Sequence, residues 1–149
     1  MINFETNPNI KTEFDLDLLE RAALTTLTNQ EAQGDITIVL TDDAQLQQLN
    51  RDFLGSDAPT DVLSFPALET DPETGRRYLG DILISVPRAD DQAGAAGHAL
   101  EEEVRLLIVH GTLHLLGHDH ADAEDKTKMW AAQAEVLARI GLSHIHVRE

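Results

Sequence analysis

The chain is 149 residues long, which is typical of one domain, and it contains no cysteine, which excludes thiolate zinc sites and thiol nucleophiles. Its formal net charge of -16 opposes a phosphate backbone and disfavours a nucleic-acid substrate, although it does not exclude a locally positive pocket. The first residues lack the basic and apolar regions of a signal peptide, and no stretch approaches the ~18 apolar residues of a membrane span. We therefore expect a soluble, cytoplasmic protein.

The spacing of apolar residues predicts alternating strands and helices in the first half of the chain. Strands are expected over residues 1–6, 35–40 and 61–66, and amphipathic helices over residues 13–30 and 43–54. Residues 67–77 contain Asp-Pro and Thr-Gly steps, which are typical of an exposed hairpin or loop.

The second half begins with a strand and continues with helices. The pattern predicts a strand over residues 78–85, a helix from Pro87 to Gly94 or Gly97, and a final helix over residues 121–140. Between them, the acidic residues 101–103 favour the first turn of a further helix, because carboxylates stabilise a helix N-terminus. Interleaved strands and helices followed by helices indicate an α+β (mixed α/β) fold in a single domain over residues 1–149.

The stretch 104–120, VRLLIVHGTLHLLGHDH, predicts a buried helix that carries metal ligands. His110 and His114 are one helical turn apart, so their rings point to the same side of an otherwise apolar helix. Gly117 ends the helix and lets His120 fold back towards the pair. Buried imidazoles need partners, and three neutral nitrogens leave a fourth zinc position open for water, as in catalytic sites. We predict one zinc ion on these three histidines; the alternative is core histidines hydrogen-bonded to backbone.

The neighbouring polar residues are assigned to other roles. His118 is expected outside the metal shell, because Gly117 breaks the helical register before it. Asp119 either orients a ligand histidine or caps the last helix. The remaining histidines are predicted away from the site, with His98 solvated or capping and His144 and His146 on the surface.

The same histidine offsets occur in the metzincin proteases, in which a glutamate follows the first histidine and serves as the general base. The corresponding residue here is Gly111, which has no side chain to take a proton. Peptide hydrolysis by that mechanism is therefore disfavoured.

Several motifs together resemble the YbeY endoribonuclease family. They are HGTLHLLGHDH at 110–120, PTDVLSFP at 59–66, LGDILIS at 79–85 and LN at 49–50, within a similarity that covers roughly residues 35–125. The resemblance implies a small mixed sheet flanked by helices and a zinc-dependent endoribonuclease specific for single-stranded RNA. It also implies roles in ribosomal RNA maturation, notably at the small-subunit 3′ end, and in ribosome quality control. It assigns the metal to His110, His114 and His120, and it implies no DNA or membrane partner.

One position departs from the family pattern. The family usually carries an arginine shortly before PTDVLSFP, and Leu54 stands at the matching place. Arg51 lies three residues earlier on the predicted helix, on the same face, and we predict that it supplies the catalytic cation. The alternative is that Arg51 is a solvated surface residue, in which case Arg76 or Arg77 would be the next cations to test.

Three polar residues are candidates for lining the cleft, namely Asp61, Ser64 and Asp81, although each is equally well suited to capping a strand end. Two other functions stay open. One is a ribosome assembly factor with a mainly structural metal site, and the other is a metal-dependent hydrolase of another substrate.

Overall fold

The computed structural model describes residues 1–56, 60–119 and 121–145, without the side chain of Leu68. The strands are β1 (Ile2–Thr6), β2 (Asp35–Thr41), β3 (Val62–Thr70) and β4 (Arg77–Ser85). The helices are α1 (Leu16–Asn29), α2 (Asp43–Leu54), α3 (Val86–Ala96), α4 (Leu100–Leu115) and α5 (Ala123–Arg139). The predicted α+β (mixed α/β) class is confirmed.

The segment 67–77 forms a hairpin in which the strands are longer than predicted. β3 continues to Thr70 and β4 begins at Arg77, because Thr70 pairs with Arg77 and Glu69 pairs with Tyr78. Only residues 71–76 therefore form the connecting turn.

Side-chain caps fix where several helices begin. Asp15, Asp42 and Asp122 accept hydrogen bonds from backbone N–H groups in the first turns of α1, α2 and α5. Since Asp122 is the N-cap of α5, the prediction that Asp119 caps this helix is wrong. The chain reaches the helix three residues later than that prediction assumed.

The four strands form one mixed sheet with the order β1-β2-β4-β3. Strands β1, β2 and β4 are parallel to one another, and β3 runs antiparallel to β4 at one edge. Because side chains alternate along a strand, one face presents Ile82 and Ile84 to α1 and α4, and the other presents Leu83 to Leu46 of α2. The histidine-bearing helix α4 thus lies in the main core.

Two glycines allow α4 to lie directly on the β3–β4 pair. A Cβ atom at Gly111 would lie 2.8 Å from Cγ2 of Ile82, and one at Gly80 would lie 2.9 Å from Cδ2 of Leu115. The Ser64 hydroxyl donates a hydrogen bond of 3.2 Å to the carbonyl oxygen of Gly111. These contacts place the histidine turn of α4 beside the edge strand. Within the described ranges, no helix is long and apolar enough to cross a membrane.

Candidate metal and phosphodiester site

His110 and His114 face one another on α4, as the spacing predicts. Their Nε2 atoms are 3.0 Å apart, and their ring centroids are separated by 4.6 Å with planes inclined at 73°. Both rings are partly buried, and together they form one wall of a surface cavity. Two imidazole nitrogens therefore converge on one point at the border of the core.

Gln133 sets the orientation of the first ring from α5. Its side-chain Oε1 lies 2.9 Å from Nδ1 of His110, and the residue is fully buried. An amide oxygen only accepts, so Nδ1 of His110 carries the ring proton and Nε2 presents its lone pair. Trp130 packs edge-on against the same ring, with centroids 6.1 Å apart. Helix α5 thus fixes the tautomer that a metal ligand requires.

The donor set fits a zinc ion. Two facing nitrogen lone pairs at 3.0 Å would repel each other unless a proton or a metal ion lies between them. Neutral imidazole nitrogens are preferred zinc ligands. In the described part of the chain, no group of three His, Cys, Asp or Glu residues forms a complete metal site. The third predicted ligand, His120, lies outside the described residues.

The cavity beside the histidine pair has a volume of about 360 Å³. Its other wall is the beginning of β3 and the residues before it, including Asp61, Ser64 and Pro66. Two of the three predicted cleft residues, Asp61 and Ser64, are therefore brought together with the histidines.

The third predicted cleft residue, Asp81, lies elsewhere. It follows Gly80 on β4, so its side chain points to the face of the sheet opposite α4. There it accepts a hydrogen bond from the Tyr78 hydroxyl, which also contacts Thr37. The prediction for Asp81 was wrong because strand alternation separates it from the residues that contact α4.

Two other described histidines, His118 and His144, have contacts outside the pair. Nε2 of His118 lies 2.7 Å from Oε1 of Gln30, and His144 is 57% exposed, as expected for a surface residue. His146 lies outside the described residues.

His98 contradicts its predicted solvated or capping position. Its side chain is only 8% exposed, and Nε2 lies 2.7 Å from Oε1 of the fully buried Glu103. Glu103 lies in the first turn of α4, as predicted for residues 101–103. Its side chain turns inward there and contacts the imidazole.

Arg51 lies near the end of α2 with its side chain 54% exposed. Its Nε lies 3.3 Å from Oδ1 of Asp52. Neither Arg51 nor Leu54 is among the described residues that line the histidine cavity. Leu54 is itself 58% exposed. The catalytic role of Arg51 stays a prediction.

Sequence reasoning missed Gln133. It lies on the buried face of α5, between Met129 and Val136. Its Nε2 is buried with no hydrogen-bond partner among the described residues. The available signal was an amide at a position where the helical period calls for an apolar residue. Such an amide is costly to bury unless it serves another group.

Comparison with known proteins identifies the family of the chain. The family model "Endoribonuclease YbeY" matches residues 1–141. An Endoribonuclease YbeY of Geobacillus kaustophilus is 40% identical over 152 residues, covering 95% of this chain and 97% of that protein. One from Moorella thermoacetica is 47% identical over 117 residues, covering 74% and 75%.

A solved structure shares the fold. The solution structure of a Thermotoga maritima protein superposes with a TM-score of 0.58 at 25% identity, covering 98% of this chain and 97% of that one. The similarity is not limited to the short motifs, because the family model matches nearly the whole chain and the curated relatives are similar over most of it. The chain belongs to the YbeY endoribonuclease family.

Proposed function

We propose that the protein is a zinc-dependent, single-strand-specific endoribonuclease that matures ribosomal RNA, notably at the small-subunit 3′ end, and takes part in ribosome quality control in the cytoplasm. The observation that carries the zinc assignment is the 3.0 Å approach of the His110 and His114 Nε2 atoms at an open cavity. Family membership supports the RNA substrate. The proposed zinc ligands are these two histidines and His120.

Each residue around the histidine pair has a separate role. A bound zinc ion supplies Lewis acidity that polarises a phosphoryl oxygen. Gln133 holds the His110 ring proton on Nδ1, so that Nε2 is available as a ligand. Ser64 fixes the helix backbone against β3, and this keeps the wall of the cavity at a constant distance from the pair. Arg51 is proposed to supply a cation for the phosphate charge.

The position of Gly111 supports a nuclease over a protease. A side chain at this position would begin 2.8 Å from Cγ2 of Ile82 and 3.2 Å from Oγ of Ser64, so the sheet leaves no room for it. The glutamate base of the metzincins therefore has no equivalent place here. Among the described residues that line this cavity the carboxylate is that of Asp61, which precedes β3 and does not follow the first histidine on α4.

The test is cleavage of an unstructured RNA, a matched duplex and casein by purified protein, with chelator and after zinc is restored. We expect cleavage of the unstructured RNA only, lost with chelator, restored by zinc, and absent in His110→Ala. Casein hydrolysis that disappears in His110→Ala, without RNA cleavage, would reverse the assignment. Ribosome binding without RNA cleavage by zinc-loaded protein, together with unfolding in the presence of chelator, would favour the assembly factor with a structural metal site.

A further inference from the structure

The histidine cavity continues into two further cavities. The first, of about 660 Å³, shares Pro66 and His114 with it. The second, of about 500 Å³, shares Ala32, Gln33 and Arg77 with the first. The shared residues make the three cavities neighbours in a row that leads from the histidine pair to the start of β4. We call this the β4 groove.

Arg77 occupies the far part of the β4 groove. It is exposed and lines the same cavity as Leu79, whereas Tyr78 points to the other face of the sheet. Pro66 pairs with Gly80, three residues along β4 from Arg77. At about 3.3 Å per residue, this is a separation of ~10 Å from the histidine cavity. A group bound at Arg77 is therefore distinct from one bound at the histidines.

Arg77 and its neighbour Arg76 differ in their ion pairs. Arg76 makes two hydrogen bonds, of 2.7 and 3.2 Å, with the carboxylate of Asp35. Arg77 makes no ion pair with any residue of the ranges that the structure describes. Among the described residues that line the same cavity, the other charged side chain is that of Glu31. Arg77 is thus the cation that this part of the groove offers to an external anion.

We propose that the β4 groove holds the RNA strand beyond the cleavage point and that Arg77 binds a backbone phosphate there; this inference rests on the proposed function. With a net charge of -16, the protein needs local cations wherever a phosphate lies. A guanidinium matches two phosphate oxygens, which a lysine ammonium does not. Leu116 is only partly buried and lines the same cavity, above the buried Leu79 and Leu115, so its side chain offers apolar surface for a base.

The experiment compares Arg77→Ala, Arg77→Lys and Arg139→Ala. Arg139 lies on α5 in an ion pair of 3.1 Å with Glu135, and its loss changes the net charge equally without touching the groove. Binding of a labelled single-stranded RNA to zinc-free protein is measured over a range of salt concentrations. Cleavage of the same RNA, and of a dinucleotide that fills only the histidine cavity, is measured on zinc-loaded protein.

For Arg77→Ala we expect about tenfold weaker RNA binding and a correspondingly higher KM, with kcat little changed. The slope of the logarithm of the binding constant against the logarithm of the salt concentration should become shallower by ~0.7, as expected for one lost phosphate contact on a single strand. Arg77→Ala should cleave the dinucleotide as the wild type does. Arg139→Ala should bind and cleave RNA as the wild type does, and Arg77→Lys should bind RNA with intermediate affinity. Normal RNA binding and salt dependence in Arg77→Ala, with active wild-type protein, would overturn this inference alone. Wild-type protein that neither binds nor cuts RNA would overturn the proposed function with it.

Discussion

Nδ1 of His110 lies 2.9 Å from Oε1 of Gln133, across the interface between α4 and α5. This bond joins residues that are 23 positions apart and fixes which nitrogen of the ring carries the proton. The geometry of the ligand pair therefore depends on the packing of the last helix as well as on the helix that carries both histidines.

The first prediction concerns this bond. Gln133→Met keeps the side-chain volume but removes the acceptor, so the His110 ring loses its fixed tautomer. Zinc affinity should fall about 10- to 100-fold, measured by competition with a chromophoric chelator. Stability of the zinc-free protein should hold or rise, since the variant also removes a buried amide nitrogen without a partner among the described residues. Gln48→Ala, at an exposed position on α2, serves as the control. Unchanged zinc affinity in Gln133→Met would contradict the proposed role of the bond.

The second prediction separates the histidines. His114→Ala should lose zinc by elemental analysis and should lose the rise in Tm that zinc gives the wild type. A ligand present at 100 times its Kd stabilises the folded state by ~2.7 kcal/mol, so this rise is easily measured. His118→Ala, which removes a ring paired with Gln30, should keep full zinc content. Full metal occupancy in His114→Ala would defeat the zinc assignment.

The third prediction concerns the contact between α4 and the sheet. Gly111→Ala places a methyl group 2.8 Å from Cγ2 of Ile82 and 3.2 Å from Oγ of Ser64. We expect a loss of about 1–3 kcal/mol in the free energy of unfolding, measured with urea. Gly94→Ala, in α3, meets nothing within 4 Å and should be about 0.4–1 kcal/mol more stable than the wild type. Equal stability of the two variants would show that α4 does not need the glycine.

The fourth prediction is a pH dependence at the end of the β4 groove. The hydrogen bonds of Arg76, and then the amino group of Met1, lower the pKa of Asp35 from 3.8 to about 2. Since the folded-state pKa is the lower one, this stabilisation is present above about pH 4 and is lost as the pH falls towards 2. Arg76→Ala should therefore flatten the loss of unfolding free energy between pH 4 and 2, compared with Arg139→Ala. Identical pH profiles would contradict it.

The fifth prediction concerns Arg51. If it supplies the cation for the reacting phosphate, Arg51→Ala should lower turnover strongly while zinc content stays near normal, and Arg51→Lys should lie in between. Unchanged turnover in Arg51→Ala would identify a solvated surface arginine. Comparison with Arg77→Ala on the same RNA distinguishes a lower kcat from a higher KM.

The sequence could predict whatever depends on local spacing. Four-residue separation on a helix places His110 and His114 on one side, and the start and end of α2 follow from Asp42 and Gly55. The motif match also places Ser64 near the histidines. Each of these features depends on residues that are close together in the sequence, or on a specific sequence motif.

The sequence could not predict contacts between distant elements. The burial of His98 depends on Glu103 turning inward at the start of α4, which charge alone would assign to solvent. The partner role of Gln133 depends on how α5 packs on α4. The position of Asp81 depends on the register of β4 against β3, in which a shift of one residue exchanges the two faces of the sheet.

Strand β3 borders the histidine cavity and is also an edge of the sheet. An edge strand can recruit a strand from a second molecule, which is a common route to aggregation. Pro66 has no N–H group to offer such a strand, and the pairing of β3 is irregular between Pro66 and Glu69. The histidine cavity can therefore open at a sheet edge that is protected from pairing with a strand of another molecule.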